Sequence, residues 1–205
     1  MWLLRLAIVV LLIVIVLGIF SALRSRRQRD ETASFAPGER VTMSEEDFWE
    51  LIGTVSCDES GELDVSALQT ALEARTPMEI IAFAEVFDRL HASSFGWDLW
   101  GAAYVLNGGC SDDGFDYFRA WLIGRGRQAF EAVTTEPDRL VDFASEGVEC
   151  EELLYVASQA FEAVTGSADM PFSRTPLPEL GEDWDFDDPE LMRARYPKLW
   201  TKFGE

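Results

Sequence analysis

The segment Trp97–Phe130 reads WDLWGAAYVLNGGCSDDGFDYFRAWLIGRGRQAF, and its reading decides the fold. It holds three of the seven Trp residues and the chain's Gly-Gly pair. Trp97, Trp100 and Tyr104 recur at i, i+3 and i+7 and share one helix face, with Leu99, Ala102, Ala103 and Leu106 filling the rest. Asn107-Gly108-Gly109 ends that helix, because glycine takes the left-handed backbone of a C-cap without steric cost. Ser111 suits the N-cap of the next helix, and Asp112 and Asp113 fall in its first turn, where the helix dipole favours negative charge. Phe115, Phe118 and Leu122 form the stripe that this second helix buries. Two helices joined by a tight polar corner therefore sit at the centre of the chain.

The same periodicity extends outward. Ser44-Glu45-Glu46-Asp47 resembles a capping box, followed by an apolar face of Phe48, Leu51, Ile52 and Val55. Asp58 to Gly61 reads as a turn; Gly61 falls at the fourth position of an Asp58-based loop instead of the sixth, which rules out an EF-hand. A helix is expected from Asp64 to Glu73, and Thr76-Pro77-Met78-Glu79 starts another with Ile80, Phe83, Ala84, Phe87 and Leu90 inward. His91, the single histidine, ends that stripe and reads as a satisfied helix-end residue, since one histidine makes neither a triad nor a zinc site alone. Beyond Gly124-Arg125-Gly126 come a short helix at Arg127–Val133, one from Pro137 to Ala144, and a longer one from Cys150 to Thr165 closed by Gly166. No stretch alternates with strand periodicity over a useful length, so the class is all-α, a compact domain of about 7–9 helices. The tail from Asp169 to Asp188 is rich in Pro and acid and reads as extended. Pro189 opens a last short helix whose Tyr196, Leu199, Trp200 and Phe203 are expected to dock on the domain.

At the other end, Leu6 to Leu23 is 18 residues without a charge. As a helix it reaches about 27 Å, close to the thickness of a bilayer's hydrocarbon core. It is too long for the apolar region of a cleaved signal peptide, and Phe20-Ser21-Ala22 fits a cleavage site badly. Arg24, Arg26, Arg27 and Arg29 follow it, against Arg5 before it, so the positive-inside rule puts the following domain in the cytoplasm. The expected organisation is a single-pass anchor with a basic flank at 1–29, a linker at 30–42, a helical domain at 43–166 and an acidic Pro-rich tail at 167–205.

The chain has 205 residues, 48% of them hydrophobic, and a formal net charge of -20. Residues 31–205, with 12 basic and 36 acidic residues, carry -24. Such a domain repels nucleic-acid phosphates; its acidity either serves only to keep it soluble or suits a basic protein or a cation as partner. Cys57, Cys110 and Cys150 are odd in number and lack metal-ligand spacing, which fits free thiols in a reducing compartment.

The ordered motifs resemble a bacterial family known as domain of unknown function 4240. The resemblance rests on Phe48-Trp49 with Leu51-Ile52, on Trp97-Asp98-Leu99-Trp100 with Ala102-Ala103-Tyr104, and on the GGCSDDGF run from Gly108 to Phe115. Phe118-Arg119 with Trp121-Leu122-Ile123, and Pro137-Asp138 with Leu140, complete it across roughly Met43 to Gly166. Tyr196-Pro197-Lys198-Leu199 in the tail also fits. The resemblance implies no activity.

The corner is where a site would form, from Trp97, Trp100, Cys110, Ser111, Asp112, Asp113, Asp116 and Arg119. Clustered carboxylates repel unless a cation, a proton or an arginine neutralises them. Asp112, Asp113 and Asp116, with backbone carbonyls, suit a hard divalent cation such as Mg²⁺ or Ca²⁺, the one cofactor the chain suggests. Cys110 beside a helix N-terminus can have a lowered pKa, and Trp97, Trp100 and Trp121 can wall a pocket. Against this stands the structural reading: the glycines end one helix, Ser111 and the aspartates start the next, and Asp116 pairs with Arg119 at the surface. The favoured expectation is a membrane-anchored, cytoplasmic protein-interaction module with no catalytic residues. The alternative is a metal-assisted hydrolase using the three aspartates.

Overall fold

The computed structural model describes residues 41–58, 61–145 and 147–204. The apolar run at residues 6–23, its basic flank and nearly all of the linker lie outside the described residues. Among those described, no helix is long and apolar enough to cross a membrane.

The described chain is almost entirely helical. α1 (Glu45–Ile52) is followed by a minimal hairpin of β1 (Ser56–Cys57) and β2 (Leu63–Asp64), then α2 (Ser66–Glu73) and α3 (Pro77–Ser93). α4 (Trp97–Asn107) and α5 (Asp112–Gly124) flank the corner; α6 (Arg127–Thr135) and a 3-10 helix (Pro137–Asp142) come next. α7 (Glu152–Thr165) closes the core, and α8 (Pro189–Arg195) and α9 (Pro197–Phe203) end the tail. α2 and α3 both pack on α7, while α9 and α6 meet on the 3-10 helix.

Local chemistry sets these boundaries. Thr76 Oγ1 accepts from the Glu79 amide at 3.3 Å, and the Thr76 amide donates to Glu79 Oε2 at 2.9 Å, a full capping box. The bond from the Thr76 amide, with a second from the Thr76 hydroxyl to Glu79 Oε2 at 2.7 Å, holds the Glu79 carboxyl below its usual range. Ser44 caps α1 by accepting from the Asp47 amide at 3.1 Å. α7 ends where Gly166 turns left-handed at φ 76°.

Three expected elements are corrected. The turn expected from Asp58 to Gly61 forms, with the Gly61 amide donating to Asp58 O at 3.2 Å, but it joins an antiparallel hairpin that was not expected, and α2 begins later, at Ser66, with its amide held by Asp64 Oδ1 at 2.8 Å. Two-residue strands are too short to show alternation. The hairpin is fixed by tertiary contacts instead: Trp121 Nε1 donates to Gly61 O at 2.9 Å, and Leu63 lies over Gly124, where a Cβ would meet its Cδ1 at 2.5 Å. The helix after Pro137 is a 3-10 turn ending at Asp142, and the long helix starts at Glu152 instead of Cys150.

One core runs through the domain. Phe48, Phe83, Phe115, Phe118 and Trp121 are fully buried within it, and the tail adds Met192, Tyr196 and Leu199. Burying such side chains contributes about 1.5–3 kcal/mol each, which is why the C-terminal helices dock.

Candidate functional site

The corner forms as its residue types dictate. Gly108 caps α4 at φ 63°, and Ser111 Oγ accepts from the Gly114 amide at 3.1 Å to cap α5. Trp100 Nε1 donates to Cys110 O at 2.9 Å, tying the corner back to the helix it leaves. Asp112 and Asp113 stand exposed in the first turn of α5. Asp116 turns instead to Arg119, whose Nη2 it binds. Among the described residues, no three His, Cys, Asp or Glu side chains gather in an arrangement able to hold a metal ion, and Asp112, Asp113 and Asp116 form no such set.

Arg119 corrects the expectation of a surface pair. Its side chain is 1% exposed, whereas Asp116 is 48% exposed. The guanidinium lies against two neighbouring aromatic rings, 5.0 Å from the Phe95 centroid and 4.9 Å from that of Phe115. Nη1 donates to His91 O at 2.5 Å and lies 3.3 Å from His91 Nδ1. A guanidinium only donates, so Nδ1 is the acceptor and the imidazole proton sits on Nε2. Nε2 in turn donates to Asp116 O at 3.0 Å. Burial, reinforced by the Arg119 charge, pushes His91 down to about 4, so the ring is neutral and structural. The sequence placed Asp116 and Arg119 one turn apart but carried no sign that Phe95 and Phe115 would close over the cation.

Cys110 is likewise corrected. Burial, with Glu149 nearby, pushes its thiol up to about 11, opposite to the lowering that a helix N-terminus can give. Trp121 walls no pocket, being fully buried. Trp97 and Trp100 stack at 5.4 Å and, with Tyr104, turn their half-buried face to the tail through Phe186.

The tail is held by carboxylates that sequence reading missed. Asp88, 7% exposed, accepts from the Thr175 amide at 2.5 Å and from Arg174 Nη1 at 3.3 Å. Asp138, 8% exposed, accepts from the amides of Lys198 and Leu199 at 3.0 and 2.9 Å, capping α9 from a distant segment. Tyr196 donates its hydroxyl to Asp98 O at 2.7 Å, and burial raises its pKa. The only signal was an acid set within apolar periodicity at Phe87-Asp88 and Pro137-Asp138-Arg139-Leu140. Between the tail and α4 lies a cavity of about 610 Å³, walled by Tyr104, Phe186, Met192, Trp200 and Phe203 with Asp187 at its edge. Tyr104 donates its hydroxyl to Asp187 Oδ1 at 2.6 Å, which raises the Tyr104 pKa.

Fold and surface together define an acidic helical domain closed by its own C-terminal strap. The family model described as "Protein of unknown function (DUF4240)" matches residues 43–163, more than half of the chain, and the chain belongs to that family. No match emerges among curated proteins or among solved structures.

Proposed function

We propose that the chain is a membrane-anchored interaction module whose acidic domain docks a basic protein segment at the cytoplasmic face. The observation that carries this reading is an imbalance in charge pairing. Residues 41–205 hold 11 basic and 34 acidic residues. Eight of the 11 cations are already in ion pairs, among them Arg89 with Glu45, Arg127 with Glu46 and Glu131, and Arg195 with Asp98. Of the other three, Arg125 and Arg193 lie over Trp121 and Trp200, and Lys202 lies over Phe203. Among the described residues, Glu62, Glu149, Glu151 and Glu152 and the acidic run from Glu179 to Glu190 make no ion pair, and three cations cannot balance them. Such a surface steers basic partners toward it and repels anionic ones.

The anchor rests on the apolar run at 6–23 and the arginines after it. The hydrolase reading needs converging carboxylates; Asp112 and Asp113 are exposed and Asp116 is bound to Arg119, so no observation favours it.

The full chain, reconstituted in bilayers, is titrated with a lysine-rich peptide as salt rises from about 0.01 to 0.15 M, where the Debye length falls from about 30 to 8 Å. Affinity that weakens steeply with salt is expected. Absence of binding, or binding indifferent to salt, contradicts the docking reading. Protease added to inside-out vesicles is expected to reach the domain; protection there contradicts the orientation.

A further inference from the structure

We infer that the cavity between α4 and the tail is the specificity pocket of that docking surface, receiving one lysine or arginine side chain of the basic segment. The inference rests on the docking reading above and deepens it. Its walls are aromatic and sulfur-bearing: Tyr104, Phe186, Met192, Trp200 and Phe203. Ring faces carry negative electrostatic potential and attract cations, and more strongly where water is displaced. This aromatic cluster already holds cations of its own chain: Arg193 lies 5.7 Å from the Trp200 centroid and Lys202 Nζ 4.7 Å from that of Phe203. Tyr104 and Phe186, 5.4 Å apart, carry no such cation among the described residues.

Polar groups complete the fit. Asp187 is the one charged residue in the wall, and it is exposed. It is held in place twice, by the Tyr104 hydroxyl and through its own amide, which donates to Asp185 Oδ1 at 2.9 Å. A fixed carboxylate beside aromatic faces suits an ammonium or guanidinium group. Asn107, also in the wall, spends its Nδ2 on Val148 O at 3.4 Å, and its Oδ1 has no hydrogen-bond partner among the described residues. That oxygen is buried out of reach of solvent, so the head group's partner in the wall is Asp187. The volume, about 610 Å³, exceeds one side chain and leaves room for its aliphatic stem against Met192. A neutral apolar occupant would fill the same space and gain nothing from Asp187.

The test uses the full chain in bilayers and two synthetic peptides of equal net charge. One carries a central lysine; in the other norleucine takes the centre and the lysine is moved to the end. The wild type is expected to favour the central-lysine peptide about tenfold, and both Phe186→Leu and Asp187→Asn are expected to abolish that preference. Asp187→Asn keeps an acceptor for Tyr104, so an unchanged melting temperature shows that the fold persists. Glu149→Gln/Glu151→Gln/Glu152→Gln is expected to weaken both peptides equally. Equal affinity of the wild type for both peptides, or a preference that survives both pocket variants, overturns the pocket and leaves the acidic docking reading intact. No binding of either peptide overturns both.

Discussion

The corner at residues 108–119 and the tail at residues 169–204 both pack against α4, and they use polar groups in opposite ways. The corner makes most of its bonds over short separations: Ser111 with Gly114, Trp100 with Cys110, Asp116 with Arg119. The tail is held across the chain, by Asp88 on Thr175, Asp138 on Lys198 and Leu199, and Asp98 on Tyr196 and Arg195. A strap pinned at a few points encloses space, and the aromatic cavity is that space. The motif that stands out in the sequence spends its caps and its buried arginine on the fold, while the unremarkable tail borders the aromatic cavity.

The strongest way to break this contrast is at Arg119. Arg119→Ala removes a buried cation packed against two rings and leaves His91 O and Asp116 without their donor. A loss of about 3–5 kcal/mol is expected in urea unfolding. A loss under about 1 kcal/mol would show that the guanidinium is not part of the core.

Next in size is the pH response of His91. Its folded pKa of about 4 lies below the ordinary 6.5, so the unfolded chain takes up the proton first as pH falls. The stability this linkage carries is fully present above pH 6.5 and is lost between pH 6.5 and 4, about 3 kcal/mol in all. The difference between wild type and His91→Gln should shrink across that window. A difference constant with pH would mean that the ring charges freely in the fold.

Asp138→Ala sharpens the other side of the comparison. It leaves the first amides of α9 uncapped, and a loss of about 2 kcal/mol is expected in thermal melts. Hydrogen exchange should rise first in residues 189–204. Uniform loss of protection throughout the domain would contradict the description of the tail as a separately pinned strap.

The same distinction explains what could be read from sequence. The Gly108 and Ser111 caps and the Thr76–Glu79 box follow from chemistry three residues apart, and they form as expected. The stripe of α3 and the aromatic docking of α9 follow from periodicity and apolar area. The hairpin did not show, because its two-residue strands are held by Trp121 and Gly124 some sixty residues on. Burial of Arg119 depends on rings from two other turns, and the cavity on a tail more than eighty residues from Tyr104. Spacing put Trp97 and Trp100 on one helix face but not what that face meets: it is the tail, and both are half-buried against it.

Smallest in effect, and most direct for the central claim, is the exposed aspartate pair. Asp112→Asn/Asp113→Asn leaves the Ser111 cap in place and should cost only about 0.5–1 kcal/mol through the helix dipole. The decisive measurement is the melting temperature of the full chain and of this variant in EDTA and in Mg²⁺, Mn²⁺, Ca²⁺ or Zn²⁺ at fixed ionic strength. A corner that serves the fold and binds no metal predicts the same melting temperature for each protein in every condition. A metal bound there at 100 times its dissociation constant would add about 2.7 kcal/mol. A metal-specific rise in the wild type that disappears in the variant would contradict the account and make the corner the site.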